Sequence, residues 1–532
     1  MPRLSRLSLA VATLLTATSA LAQDANKDAR TLDTLIVTGT RVADRTVAES
    51  QSPIDIITPE ALQATGATEL ATALARALPS LNFPRPAIAD GTSGVRPAQL
   101  RGLSPDQVLI LVNGKRRHVS ALVNVNGTIG RGSSAVDLNA IPVVAIERVE
   151  VLRDGASAQY GSDAIAGVVN IVLKGAGTGG SLILGGGQYA EGDGSQWQAS
   201  GDAGLTLGGG AGELHVAAQA GHQDATDRSG TYQGTAPDTG NFPGIGEKAF
   251  KLGDPDVDQF AVAANASLDV TDDIHLYATV IGSKRDITSF AFYRSKNHSG
   301  QGALLAQVYP DGYLPEINQV SRDHSVVLGA RGTTASGWNW DVSYDFGEND
   351  LDFHTRNTIN YSLGTGSPHR FFDGTLRYRQ DVLNVDVSKA IGIGLEYPAT
   401  LSLGAGHRQE QWEQTAGELN SYAGSGAQGF AGFTPRNAGE YERDSLAFYA
   451  GLEADLTDKF SAGIAGRYED YSDFGNQASG KLSARYAFSD AVALRGTIAS
   501  GFRAPSLAQQ HYQAVTTNIT NGVVTETGTF PV

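Results

Sequence analysis

A period-two alternation of apolar and polar residues recurs through the chain from about residue 180 onward. In 446–456 the even-numbered residues are Leu, Phe, Ala, Leu, Ala and Leu, whereas Glu453 and Asp455 are odd-numbered. The same pattern occurs in 338–347, 460–469 and 482–488. Because successive side chains of a β-strand point to opposite faces, each run predicts a strand with one apolar face and one polar face. None of these runs carries a charge on its apolar face, where it would cost about 2–4 kcal/mol at a bilayer midplane.

The connections between these runs support the same fold class. Short polar turns lie at 271–273, 335–337, 457–459 and 489–490, and long linkers lie at 222–257, 287–321, 352–374 and 413–440. A meander with short turns on one side and long loops on the other is typical of a membrane β-barrel. A soluble β-sandwich has no reason for that asymmetry, and the sequence lacks the repeat of about 40–50 residues that a propeller would show. We therefore predict an antiparallel transmembrane β-barrel over residues 176–532, with roughly a dozen strands.

The segment that precedes these runs has a different pattern. Val108–Val112 is a short apolar strand that ends at Asn113-Gly114, a dipeptide that favours a tight hairpin turn. Residues 148–152 alternate as a half-buried strand should, and 168–173 form a further strand. Residues 58–60 provide a capping hydroxyl and a proline at a helix start. The segment therefore predicts a small mixed α+β domain.

Two runs in this segment, QLRGLSPDQVLILVNGKR and IERVEVLRDGASAQYGSDAIAGVVNIVLK, carry a family resemblance. They resemble the two signature runs of the plug domain of TonB-dependent outer-membrane receptors. The resemblance implies a plug at 51–175 inside a wide barrel of about twenty-two strands. Since about a dozen strands are recognisable here, we expect an incomplete barrel that lacks its C-terminal part, and a truncated receptor. A sheet left open in lipid would carry unpaired backbone groups that each cost several kcal/mol.

The N-terminus predicts export. Arg3 and Arg6 precede a short apolar run, and Ala20-Leu21-Ala22 is a cleavage site, so residues 1–22 predict a secretory signal peptide. Residues 23–50 are polar and predict a flexible periplasmic tail. Within this tail the resemblance implies a TonB box, which would bind TonB by strand addition. Its residues are Asp33, Thr34, Leu35, Ile36, Val37 and Thr38.

The loops 82–95 and 118–138 are rich in Gly, Pro, Ser and Asn, and in the family such loops of the plug apex contact the ligand. The cationic residues in or beside them are the predicted ligand contacts, although a solvated surface is the alternative explanation. These residues are Arg85, Arg116, Arg117, His118 and Arg131.

Composition and motifs narrow the function. The net charge of −16 argues against nucleic acid as a partner, and no motif of a hydrolase, zinc protease or phosphate-binding loop is present. Asp254, Asp256 and Asp258 resemble the start of a calcium loop, but Gln259 and Asn265 stand where its glycine and bidentate glutamate belong. We therefore expect no enzyme, no cofactor and no metal site.

The resemblance implies a receptor in the outer membrane of a Gram-negative bacterium. It would work with TonB, ExbB and ExbD and take up a scarce solute, either a ferric siderophore, cobalamin or an oligosaccharide, by remodelling of the plug. Basic residues in or beside the long linkers, among them Arg285, Arg377 and Arg379, favour an anionic ferric chelate through electrostatic focusing. Aromatic residues there, among them Phe290 and Phe371, would equally stack on a sugar ring or on a cobalamin face. A secreted β-rich protein that binds or degrades carbohydrate is the alternative.

Overall fold

The structure is a computed structural model. It describes residues 34–42, 45–125, 129–233, 245–489, 491–520 and 523–529. The predicted signal peptide, Asp33 and the preceding part of the tail lie outside the described residues.

Within this part of the chain, an α+β domain is followed by a large antiparallel sheet, as the sequence predicts. Five strands of the N-terminal domain form a mixed sheet in the order β1-β6-β7-β4-β5, and β2 pairs with β3. Its strands are β1 Ile54–Ile57, β2 Leu81–Asn82, β3 Gln99–Leu100, β4 Val108–Val112, β5 Lys115–Arg116, β6 Ile146–Leu152 and β7 Gly167–Leu173. Its helices are α1 Pro59–Gln63, α2 Leu70–Ala77, α3 Thr92–Val95 and α4 Ser157–Tyr160, with 3-10 turns at Pro105–Gln107, Leu138–Ala140 and Val143–Ala145.

Local sequence explains much of this domain. The Thr58 hydroxyl caps α1 by accepting from the Ala61 N–H, and proline follows it at the first helical position. Asn113 and Gly114 have φ values of 49° and 78°, as the turn between β4 and β5 requires. Strands β4 and β7 are parallel, and both are apolar because the sheet is covered on both faces.

The second unit is a sheet in which thirteen described strands follow one another in chain order from β8 to β20, all antiparallel. Strands β8 and β20 are its edges within the described residues, and β21 pairs with β22 separately. The strands are β8 Gly180–Gly187, β9 Gln196–Leu207, β10 Gly212–Gln223, β11 Asp256–Thr271, β12 Ile274–Phe290, β13 Glu316–Thr333, β14 Asn339–Arg356, β15 Arg370–Ile391, β16 Ala399–Gln414, β17 Gly439–Thr457, β18 Phe460–Tyr471, β19 Gly475–Ser489, β20 Val492–Ala499, β21 Ala514–Thr520 and β22 Val523–Thr529. The helices α5 Gly302–Val308, α6 Leu419–Tyr422 and α7 Leu507–His511 lie in the connections, as do 3-10 turns at Ala176–Thr178, Gly208–Gly210, His298–Gly300 and Tyr361–Gly366.

The two faces of the sheet differ as the alternation predicts. On β17, Leu446 and Phe448 are 44% and 51% exposed, whereas their neighbours Ser445 and Ala447 are buried. We call the face that carries Phe448 the outer face, and the face that packs on the N-terminal domain the inner face. No helix in the described ranges has both the length and the apolar character needed to cross a membrane.

Candidate functional site between the N-terminal domain and the sheet

Buried ion pairs join the N-terminal domain to the inner face of the sheet. The guanidinium of Arg285, on β12, donates to Glu69 (2.6 Å) and to Asp137 (3.1 Å) of the domain. Arg96 lies 3.1 Å from Glu69 and 3.3 Å from Asp254, which precedes β11. We call these five side chains the Glu69 network; all five are buried.

Burial affects the two carboxylates of the domain differently. Burial alone would raise the pKa of Glu69, but the guanidinium groups of Arg96 and Arg285 outweigh it and lower that pKa. Burial raises the pKa of Asp137 to about 6, because its ion pair with Arg285 offsets burial only in part. The N-terminal domain therefore supplies the network with one carboxylate whose pKa is lowered and one whose pKa is raised to about 6.

A second group of buried contacts centres on Asp323, on the inner face of β13. Arg117 of the domain forms an ion pair with Asp323 and a hydrogen bond with Ser325. His118 Nε2 lies 3.1 Å from the same carboxylate, and burial lowers the pKa of this imidazole. Because Arg117 and Asp323 are 2% and 3% exposed, their charges depend on one another for compensation.

A third contact region lies at the inner face of β15 to β18. Arg116 and Arg503 hold Asp163 at 2.5 and 2.7 Å, and they lower its pKa to about 2 against the effect of burial. A cavity of about 120 Å³ adjoins Arg116 and is also lined by Arg408 and Glu469. The cavity is polar and large enough for several water molecules.

The predicted ligand residues do not come together. Arg116 forms a partly exposed ion pair with Asp163, whereas Arg117 and His118 are buried against Asp323, since the chain after β5 runs along the inner face of the sheet. Arg85 is half-exposed and pairs with Asp254 at 3.0 Å, and Arg131 is exposed in a loop. Arg85 and Arg131 are thus the predicted residues that a solute could reach.

The arginines that the sequence suggests as contacts for an anionic solute also lie in different places. Arg285 is on a strand and belongs to the Glu69 network, whereas Arg377 and Arg379 are on the outer face of β15 and bind carboxylates there. The linkers are shorter than the sequence predicts, because β12 and β15 extend beyond the apolar part of their outer face.

The described part of the predicted TonB box packs on the domain. The Val37 N–H donates to the Glu150 carboxylate (3.1 Å), and the Thr38 hydroxyl accepts from the Asn170 amide (3.0 Å). Ile36 is buried in an apolar cluster that includes strand residues of β1, β4, β6 and β7. This packing differs from the flexible tail that composition predicts, because the apolar and hydroxyl side chains of the segment fit sites that only the folded domain creates.

Residues after this segment bind the sheet. The Arg41 N–H donates to Glu453 (2.9 Å), and the Arg45 guanidinium donates to Asp455 (3.1 Å), both on β17. Leu35 forms one antiparallel bridge with Thr46. The N-terminal strap, residues 34–42 and 45–50, therefore contacts both units.

Sequence reasoning missed Asp323, Asp254, Glu69 and Asp137 as interface residues. Asp323 lies on the inner face of β13, between two exposed neighbours. The two-residue alternation alone could therefore have predicted that this carboxylate points inward. Its partners could not be found in this way, because Arg117 is 206 residues earlier in the chain.

Comparison with known proteins agrees with this architecture. Residues 46–168 match the family described as TonB-dependent Receptor Plug Domain, and residues 276–529 match the TonB dependent receptor-like beta-barrel. The chain therefore belongs to the TonB-dependent receptor family. Hereafter the N-terminal domain is called the plug and the sheet is called the barrel wall.

The most similar relatives include named transport receptors. The chain is 25% identical to the ferrienterobactin receptor of Escherichia coli (strain K12) over an alignment of 519 positions, which covers 90% of this chain and 62% of the relative. It is also 25% identical to the vitamin B12 transporter BtuB of Vibrio cholerae, over 95% of this chain and 68% of the relative. The chain thus spans about 62% of the length of the Escherichia coli relative.

Solved structures show the same fold. The siderophore receptor PirA from Acinetobacter baumannii superposes with a TM-score of 0.65 at 18% identity, over 90% of this chain and 66% of that one. The ferric enterobactin receptor PfeA from Pseudomonas aeruginosa superposes with a TM-score of 0.65 at 20% identity, over 88% and 65%. These likenesses show the fold, and the two family matches favour a receptor over the secreted carbohydrate-binding or carbohydrate-degrading alternative.

Proposed function

We propose that this chain forms the plug and part of the wall of an outer-membrane transporter that takes up a scarce solute with energy supplied through TonB. The observation that carries the proposal is the set of buried ion pairs that hold the plug against the polar inner face of the wall. Such contacts resist thermal opening, so passage of a solute would need an external force on the plug. TonB, with ExbB and ExbD, is the proposed source of that force.

The proposed attachment point for TonB is the segment from Asp33 to Thr38. An extended segment can add as a strand to another protein through its main-chain hydrogen bonds. In the docked arrangement Ile36 and Thr38 are buried, so this segment would have to leave the plug before TonB could pair with it. The contacts of Val37 with Glu150 and of Thr38 with Asn170 are the ones that this release would break.

We propose an anionic iron chelate as the solute. Arg85 and Arg131 are cationic and reachable by solute, and relatives are named as receptors for ferric enterobactin and other siderophores. The vitamin B12 transporters among the relatives make cobalamin the second candidate. An oligosaccharide, which the resemblance of the sequence also implies, is the third candidate.

The test is uptake by bacterial cells that express the gene encoding this chain. Cells would be given a ⁵⁵Fe-labelled catecholate siderophore, with and without functional TonB. We expect uptake that requires TonB and that is lost in Ile36→Pro, because proline removes the backbone donor needed for strand pairing. Ala48→Pro is the matched control, since residue 48 lies in a turn outside the segment. Uptake that continues in Ile36→Pro would contradict the proposed coupling.

The choice of solute is tested separately. Expression of the gene should rise under iron starvation and should not rise on a carbohydrate. The opposite pattern of induction would contradict the iron chelate while leaving the proposed coupling to TonB intact.

A further inference from the structure

An imidazole on the outer face of the wall lies among carboxylates at the loop-side ends of β10 and β11. His222 Nε2 lies 3.0 Å from Asp224 Oδ1, and His222 Nδ1 lies 2.9 Å from Asp258 Oδ1. Candidate ligand atoms of His222, Asp224 and Asp256 all lie within 4.8 Å of one another. Three donor side chains therefore converge on a volume of the size that one metal ion occupies.

The charge at this place is unbalanced. Asp286, on β12, is the cross-strand partner of Asp258, which adds another carboxylate beside the first three. Among the described residues, no Lys or Arg forms an ion pair with Asp224, Asp256, Asp258 or Asp286. Like charges on directly opposed strand positions are destabilising. One imidazolium cannot neutralise this group, so a further cation would stabilise it.

We propose that His222, Asp224 and Asp256 bind a divalent transition-metal ion, for which Zn²⁺ is the best fit. Zn²⁺ is commonly bound by imidazole nitrogen and carboxylate oxygen, with water in a fourth position where three protein ligands are present. The bond from His222 Nδ1–H to Asp258 leaves Nε2 as the metal ligand, and a carboxylate behind a ligating imidazole is the usual orienting partner. Metal binding displaces the proton from Nε2, which passes to solvent.

The strand register explains why this site cannot be predicted from a linear motif. Asp254, Asp256 and Asp258 predict only a solvated loop as a linear motif. In the sheet Asp256 and Asp258 share the outer face, Asp254 contacts the plug, and strand pairing brings His222 opposite Asp258.

The ion would join the two ends of one long connection. Asp224 follows β10 directly and Asp256 begins β11, so a metal bound to both fixes the start and the end of 225–255. Asp254, two residues before Asp256, pairs with Arg85 and Arg96 of the plug. The proposed ion therefore restrains the wall residue that contacts the plug apex, and this inference does not depend on the identity of the transported solute.

The test is calorimetric titration of Zn²⁺ into the full chain in detergent micelles, purified without a histidine tag. We expect one equivalent bound, at least about tenfold weaker in His222→Asn and in Asp256→Asn because a ligand is lost. Asp258→Asn should weaken binding by about 10–100-fold, as the loss of an orienting partner does. His275→Asn is the matched control: this imidazole is also partly exposed and bonds a single carboxylate, Asp269, at the opposite end of the sheet.

The melting temperature, Tm, gives a second measurement of metal binding for variants that fold less well. Zn²⁺ should raise the Tm of the wild-type chain and of His275→Asn, and should leave the Tm of His222→Asn unchanged. Absence of Zn²⁺ binding by the wild-type chain would overturn the proposal. Equal affinity in the wild-type chain and in His222→Asn or Asp256→Asn would also overturn it.

Discussion

Replacing Asp323 with Asn tests whether buried ion pairs hold the plug against the wall. The substitution keeps the shape of the side chain but removes the charge that compensates Arg117 and accepts a hydrogen bond from His118. Arg117 would remain buried without a counter-charge. Removing one partner of a buried ion pair costs about 3–5 kcal/mol, so the contact between plug and wall should weaken by that amount.

The matched control is Asp350→Asn on the neighbouring strand. Asp350 also binds an arginine, at 2.5 Å, but on the outer face, where Arg377 is 48% exposed. A solvent-screened pair contributes about 0–1 kcal/mol, so this substitution should have little effect. The two variants therefore differ in the face of the sheet and not in the chemistry of the change.

The assay is the rate at which a cysteine at position 120 reacts with a water-soluble maleimide. The chain has no cysteine of its own, and Ser120 is buried against Asn349 of the wall, so labelling requires local opening of the plug. In the Ser120→Cys background, Asp323→Asn should accelerate labelling roughly 150- to 5,000-fold, whereas Asp350→Asn should change it by about fivefold or less. Equal acceleration by both variants would refute the role of the buried pair.

Three further outcomes are expected. Glu69→Gln should accelerate the same labelling about as much as Asp323→Asn, because it leaves two buried arginines of the Glu69 network without their shared carboxylate; labelling at the parent rate would contradict this. Burial keeps the pKa of the docked His118 imidazole below its usual value of about 6.5. As pH falls below about 6.5, the unfolded chain therefore binds a proton at this imidazole while the docked one is neutral, and the free energy of unfolding decreases. Thermal unfolding should therefore become less pH-dependent between pH 7 and 5 in His118→Gln than in the wild-type chain, and an unchanged pH dependence would contradict the assignment. Phe448→Arg should cost about 2–4 kcal/mol in a folding titration into lipid vesicles, whereas Glu442→Arg, on the same face beyond the apolar belt, should cost about 1 kcal/mol or less; equal costs would argue against lipid contact at Phe448.

The alternation of β17 shows what a sequence can predict about such a chain. The two-residue period of a strand is a local property, so the even-numbered apolar set of 446–456 predicts both the strand and its outer face. The turn at Asn113 and Gly114 and the cap at Thr58 are equally local, and both are present in the structure. These predictions succeed because each depends on neighbours in the chain.

The candidate site depends on contacts that are distant in sequence. The resemblance implies that Arg116, Arg117 and His118 lie at the plug apex, but the structure places Arg116 against Asp163, and Arg117 and His118 against the buried Asp323. Composition gives no sign of this arrangement, because a cation in a glycine-rich loop looks the same whether it faces solvent or a partner on the wall. Ligand contact by these residues stays a prediction.

The same distinction applies to the N-terminal strap. A polar segment with few apolar residues predicts a flexible tail. In the structure Ile36 enters an apolar cluster of the plug, and the backbone of Arg41 pairs with Glu453 of the wall. Both partners are distant in the chain, so the docked position follows from the assembled fold.

We infer that one face of the wall contacts lipid and that the other face encloses the plug. The most direct measurement is a nitroxide scan of β17 in lipid vesicles, one cysteine at a time over 446–455, with accessibility to oxygen and to a water-soluble nickel chelate. We expect high oxygen accessibility at the even-numbered positions and low oxygen accessibility at the odd-numbered ones, with a two-residue period. A profile without that period, or with the odd-numbered positions in lipid, would contradict it.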